Sequence, residues 1–130
     1  MIIKTEEEGE TISKIMQIIK SEFAKEYNRI NSRIGPFWNE RFGDKIIEHS
    51  NEPGEYMIHL LWYISYNSCR KGYVHDPRDY EFCPLCYYLN GQQNKYIDIS
   101  YSSYFKQLGE NFSERSKIFE EYESEYRQFL

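Results

Sequence analysis

The chain has 130 residues, 40% hydrophobic and 18% aromatic, with 13 Tyr, 8 Phe and 2 Trp and a formal net charge of −5 at pH 7. That length suits one compact domain with one core, a core built largely from Tyr and Phe, and the negative balance argues against a generic polyanion binder. No apolar run approaches the roughly 20 residues that cross a bilayer, and Met1-Ile2-Ile3-Lys4 followed by acid lacks the basic and apolar segments of a secretory signal, so a cytoplasmic protein with no membrane partner is expected.

Residues 2–4 are short and apolar and read as the end of a strand, followed by an acidic loop at Glu6, Glu7, Glu8 and Glu10. Thr11 suits a helix N-cap. Beyond it Ile12, Ile15, Met16, Ile19, Phe23, Tyr27 and Ile30 recur at three- and four-residue steps, one face of a long helix that Gly35-Pro36 stops. Lys14, Lys20, Lys25 and Arg29 lie largely off that stripe. Across 11–45 these four, with Arg33, Arg41 and Lys45, outnumber Glu22, Glu26, Glu40 and Asp44. Such a stretch can contact phosphate locally, with weak non-specific affinity at physiological salt; an ordinary solvated helix face is the plain alternative.

Residues 37–42 are aromatic and irregular, and 45–49 read as a brief strand. Pro53 fits the first turn of a second helix over about 53–70, with Glu55 near its N-terminus and Gly72 ending it. Residues 75–80 form a turn, 81–90 a short helix, 98–107 a strand or short helix, and 113–129 a helix with Phe119, Tyr122 and Tyr126 on one side. The three cysteines are Cys69, Cys83 and Cys86. Cys83-Pro84-Leu85-Cys86 has the spacing of half a zinc site or a redox pair, but no second CxxC and no HxxxH completes a four-ligand site. Semi-buried structural thiols are the competing reading.

On the second helix Tyr63 and Asn67 are four residues apart and point the same way, with His59 one turn before. A tyrosine hydroxyl is a poor nucleophile at neutral pH, its reference pKa being about 10. A divalent metal polarising a phosphate makes its attack feasible, and an amide oxygen is a ligand Mg²⁺ accepts. With so many tyrosines, a packed Tyr63 beside Asn67 is equally compatible with the spacing.

Several segments in order resemble one family. Residues 62–74, Trp-Tyr-Ile-Ser-Tyr-Asn-Ser-Cys-Arg-Lys-Gly-Tyr-Val, resemble the Tyr-Ile-x-x-Asn-Pro-Val-Arg-Ala-Gly-x-Val signature of REP-associated tyrosine transposases. Gly35-Pro36-Phe37-Trp38-Asn39-Glu40-Arg41-Phe42 resembles the family's Gly-x-x-Trp-x-x-Arg-Phe element, and Asp76-Pro77-Arg78-Asp79-Tyr80 its Asp-Pro-x-Asp-Tyr turn. The resemblance covers about 11–90; residues 91–130 match no named element. It implies an α+β fold, here the remnant of a small antiparallel sheet packed with helices, mostly helical. Residues 1–90 would be the C-terminal part of a single-tyrosine HUH domain, and 91–130 an acidic extension of the same compact unit.

By the same resemblance Tyr63 would attack a single-stranded DNA phosphodiester, leaving a 5′-phosphotyrosine and a free 3′-hydroxyl. Asn67 would be a ligand of Mg²⁺ or Mn²⁺. Lys14, Lys20, Lys25, Arg29, Arg41 and Arg70 would meet DNA phosphates, contacts that position a strand without reading its sequence. Two departures stand out. The family's His-hydrophobic-His pair is absent, His49, His59 and His75 being scattered, and Ser68-Cys69 replaces Pro-Val. The expectation is therefore a transposase-family protein, truncated and inactive alone, that binds metal weakly and leaves a sheet edge needing self-association or a full-length relative. The alternatives are a non-catalytic DNA-binding or protein-interaction module and a structural protein whose likeness is accidental.

Overall fold

A computed structural model describes residues 1–96 and 99–128 and divides the chain into two compact units, Met1–Lys45 and Ile46–Leu130. Among the described residues every regular element is helical: α1 (Ile12–Ile30), α2 (Pro53–Arg70), α3 (Leu85–Asn90), α4 (Ser103–Lys106) and α5 (Phe112–Arg127), with 3₁₀ turns at Ile47–His49 and Pro77–Asp79. This corrects the expected α+β class, since no strand or sheet, and hence no sheet edge, occurs among them. None of those helices is long and apolar enough to cross a membrane.

Residues 2–4 and 45–49 are not the strands expected, and 98–107, expected as a strand or short helix, contains the short helix α4, each for local reasons. Residues 2–4 carry no regular structure, because two isoleucines and a lysine without a neighbouring strand make no ladder. At 45–49, only Ile46 is extended; His49 N–H then closes on Ile46 O at 3.3 Å and Ser50 Oγ on Ile47 O at 2.8 Å, giving a 3₁₀ turn. In 98–107, whose first residue lies outside the described residues, Ser102 Oγ accepts from Phe105 N–H at 3.1 Å and caps α4. Tyr101 and Phe105 then stack one turn apart at 4.9 Å, a helical spacing.

In the first unit Thr11 Oγ1 accepts from Lys14 N–H at 3.3 Å and starts α1 as its N-cap. The helix stops at Asn31, a few residues before Gly35-Pro36, where Ser32 takes φ +50°. The chain then turns back on it. Asn28 Nδ2 donates to Gly35 O at 2.9 Å, Phe37 packs on Phe23 and Tyr27 at 5.1 and 4.6 Å, and Trp38 Nε1 donates to Lys20 O at 2.9 Å. No residue of α1 is buried.

The second unit holds the buried core. Pro53 occupies the first turn of α2, where its missing N–H costs nothing. At the other end Gly72, φ +73°, lets its own N–H reach Cys69 O and Tyr73 N–H reach Ser68 O, so the last carbonyls are satisfied. Between them Met57, Ile58, Leu61 and Trp62 form the buried side of α2, a helix that packs on α5, α4 and the two 3₁₀ turns. Trp62 and Phe119 stack at 4.8 Å, Trp62 Nε1 donates to Phe119 O at 2.9 Å, and Tyr88 and Phe105 close the cluster at 5.3 and 5.8 Å from Phe119. Each such side chain contributes about 1.5–3 kcal/mol by burial, and ring pairs somewhat more. Residues expected as an acidic extension thus supply α5, one wall of this core.

Candidate functional site

The α2 stripe that is apolar inward is polar outward. Tyr63, Asn67 and Arg70 follow one another along the exposed side of the last two turns. Tyr63 is 50% exposed. Its ring lies under the Arg70 guanidinium, 4.2 Å from ring centroid to Cζ, a cation–π arrangement. Arg70 Nη2 also donates to Asn67 Oδ1 and to Tyr63 O, each at 2.8 Å, and its Nη1 donates to the Tyr126 hydroxyl of α5 at 2.5 Å. The three residues named from the sequence are therefore together, and one cation organises them.

That arrangement does not fit a Mg²⁺ or Mn²⁺ ligand set. The Asn67 oxygen already accepts from a guanidinium, and a divalent ion there would face a fixed positive charge. His59, two turns before Asn67, turns its Nε2 to Glu55 Oε1 at 3.5 Å and its ring edge to Tyr122. Among the described residues no group of three or more His, Cys, Asp or Glu is placed to hold a metal ion.

The basic residues named for DNA divide between the units, with Arg70 in the second and the others in the first. Lys25 is held by Glu22 at 2.7 Å, and Arg29 by both Glu26 oxygens at 2.5 and 2.9 Å. These i,i+3 pairs neutralise the outer face of α1 locally; the Arg29 hydrogen bonds lower the Glu26 pKa and raise that of Arg29. Lys14 is exposed near the N-terminus of the helix. Lys20 and Arg41 instead line an open recess of about 620 Å³ with Ser13, Gln17, Trp38 and Asp44. Trp38 is 45% exposed, the Lys20 ammonium sits 5.2 Å from its ring centroid, and Lys20 Nζ donates to Glu40 O at 2.7 Å.

One constellation escapes the sequence reading. Glu123 of α5 is only 6% exposed and sits among three donors. Arg78 gives it both guanidinium nitrogens, Arg127 donates at 2.7 and 3.1 Å, and the Tyr66 hydroxyl donates at 2.6 Å. Burial raises the Glu123 pKa, but hydrogen bonds from Arg78, Tyr66 and Arg127 outweigh it and hold the carboxyl at about 2. Burial and the adjacent carboxylate push Tyr66 up to about 12. Arg78, the variable residue of the Asp-Pro-Arg-Asp-Tyr turn, is raised by its bond to Glu123. The one sequence signal is an acid on the stripe of Phe119, Tyr122 and Tyr126.

Comparison with protein-family models, with curated proteins and with solved structures finds no match to this chain.

Proposed function

We propose that the chain binds single-stranded DNA without cleaving it, as a non-catalytic module of transposase-like descent. The observation that carries this reading is the Trp38 recess. An indole nearly half exposed, fixed by its N–H to the α1 backbone and flanked by Lys20 and Arg41, combines a stacking platform with cations for phosphate. Glu40 and Asp44 line the same recess and formally balance Lys20 and Arg41, so stacking, about 1–3 kcal/mol per base, supplies more than electrostatics. Affinity is correspondingly weak, and salt dependence shallow. With about two or three phosphates neutralised, the log–log salt slope for a single strand is about −1.5 to −2.

Strand transfer is the second reading, favoured by the exposure of Tyr63 on α2. Against it, no group of three or more His, Cys, Asp or Glu among the described residues is placed to hold a metal ion, and Arg70 takes the amide oxygen that the resemblance assigns to the ion.

Both readings meet in one assay. Fluorescence anisotropy with single-stranded and hairpin oligonucleotides is expected to show binding that Trp38→Ala weakens at least about tenfold and Lys20→Ala less. Incubation with Mg²⁺ or Mn²⁺ is expected to leave no covalent adduct. An adduct that disappears in Tyr63→Phe establishes strand transfer, and binding unchanged by Trp38→Ala removes the recess from the proposal.

A further inference from the structure

The three cysteines all belong to the second unit and none is in a disulfide. Cys69, in the last turn of α2, points its thiol at His75 O, 3.5 Å away. Cys83 precedes α3 and Cys86 lies in its first turn. Cys83 is buried, with one side on a small pocket of about 200 Å³ whose mouth carries Lys71, while Cys86 is half-buried.

The backbone between Cys83 and Cys86 has a defined shape. Pro84 sits at φ −76°, ψ −6° and Leu85 begins the helix, so the two central residues are both right-handed helical, as in a type I turn. Such a turn brings its first and fourth Cα within about 7 Å, the range a disulfide spans at about 4.4–6.8 Å. The turn therefore brings the two cysteines close enough along the backbone for a disulfide to be considered. Metal binding is the other use of this spacing, but no fourth ligand joins the cysteines among the described residues.

We propose that Cys83 and Cys86 form a reversible dithiol–disulfide site whose substrates are low-molecular-weight disulfides. Cys86, the more accessible thiol, attacks as thiolate. Its sulfur bonds to one sulfur of the small disulfide, and the other sulfur leaves as a thiolate. Cys83 then loses its proton and attacks the Cys86 sulfur, expelling the second small thiolate. Two protein thiols are oxidised by two electrons, one small disulfide is reduced to two thiols, and protons are conserved. Burial fixes the order of events, since it raises the Cys83 pKa and suits that thiol to resolving rather than initiating. Cys69 lies on α2, near enough to contribute to the raised Cys83 pKa, but its own thiol is turned to His75 O.

The full chain, equilibrated with reduced and oxidised glutathione at graded ratios, acid-quenched, alkylated and digested with trypsin, tests this directly. Cleavage after Arg78 and Lys95 places Cys83 and Cys86 in one peptide and leaves Cys69 in another. The expected result is a peptide 79–95 two hydrogens lighter at oxidising ratios, restored by dithiothreitol, with Cys69 alkylated throughout. Before oxidation, native-state alkylation is expected at Cys86 at least about tenfold faster than at Cys83. Both results persist in Cys69→Ser. A lasting mixed disulfide on Cys86, a bridge to Cys69, or three thiols still alkylated at the most oxidising ratio overturns the proposal. The wild-type map alone decides this, whether or not a variant folds.

Discussion

Arg70 binds Asn67 and covers Tyr63 in a single pose, with Nη2 2.8 Å from Asn67 Oδ1 and the guanidinium 4.2 Å from the tyrosine ring centroid. The same side chain reaches Tyr126 of α5, so an apparent catalytic face also joins two helices. Arg70→Ala is expected to lower unfolding free energy by about 1–2 kcal/mol, from one cross-helix hydrogen bond and the lost stacking. Arg70→Lys should recover little of it, because an ammonium cannot stack and fork at once. Urea denaturation of the three proteins measures this, and an unchanged midpoint in Arg70→Ala means the bridge contributes nothing.

The same geometry bears on metal. A single amide oxygen, already hydrogen-bonded to a guanidinium, is a poor ligand for Mn²⁺. Calorimetric titration of the chain with Mn²⁺ should show no heat of micromolar binding. A micromolar site lost in Asn67→Ala would reverse the reading of Arg70 as the occupant of that position.

Glu123 is buried in the second unit and is held there by Arg78, Arg127 and Tyr66. Removing a buried carboxylate leaves Arg78 without its main partner, and breaking such pairs costs about 3–5 kcal/mol when both ions are buried. Arg78 is about one-third exposed, so solvent screening brings the cost below that range, to about 2–3 kcal/mol, for Glu123→Ala. Arg127 is 55% exposed, and Arg127→Ala should cost only about 0.5–1 kcal/mol. A double-mutant cycle between Arg78 and Glu123 gives the coupling, and a coupling near zero would refute this ranking.

These sites show how far the sequence can be read. The bounds of α2 were legible because Pro53 and Gly72 act locally, through a missing N–H and a left-handed φ. The stripe of α5 was legible from Phe119, Tyr122 and Tyr126. The buried role of Glu123 was not, since its partners Arg78 and Tyr66 lie 45 and 57 positions away and no local pattern joins them. The strands expected at 2–4 and 45–49 rested on very short apolar runs, and 98–107 was left open between strand and short helix, because over so few residues periodicity does not separate the alternatives. Capping by Ser102 and the Ser50 hydroxyl bond decided the latter two. The clustering of Tyr63, Asn67 and Arg70 followed from helical spacing, while their engagement with one another depended on rotamers that spacing does not specify.

The pH dependence of stability follows from the same cluster. The Glu123 carboxyl is held near 2 in the folded chain against an ordinary 4.5, so its contribution is present above about 4.5 and is lost as pH falls from there towards 2. Tyr66 titrates near 12 against an ordinary 10, so its contribution is present below 10 and is lost as pH rises from 10 to 12. Glu123→Gln should therefore flatten the acid limb of a stability–pH curve. It should also shrink the alkaline limb, because the carboxylate no longer opposes the phenolate. An acid limb of the same steepness in Glu123→Gln would assign it to other carboxylates.

Two glycines separate backbone conformation from crowding. At Gly72 the cost of a side chain is conformational, since φ is +73° and nothing lies within 4 Å of an added Cβ. Gly72→Ala is therefore expected to cost about 1 kcal/mol, the usual penalty for a left-handed position. Gly109 is the opposite case. A Cβ there would stand 2.7 Å from Glu114 Cβ, an atom fixed to the α5 backbone, and 3.2 Å from Arg115 N. Arg115 Nε also donates to Gly109 O at 2.7 Å, and Glu114 Oε2 accepts from Glu110 N–H at 2.9 Å, so the approach belongs to the N-terminal cap of α5. Separating the two Cβ atoms would pull on both bonds and on the Asn111 cap, which accepts from Glu114 N–H at 3.0 Å. A cap is worth about 1 kcal/mol and steric strain adds about 1–3 kcal/mol, so Gly109→Ala should cost about 2–4 kcal/mol in all, more than Gly72→Ala. Thermal melts of the two variants side by side, with Asn111→Ala as the reference for cap loss alone, give the order. Equal melting points for the two glycine variants would mean that crowding at the α5 terminus costs no more than the left-handed backbone at Gly72.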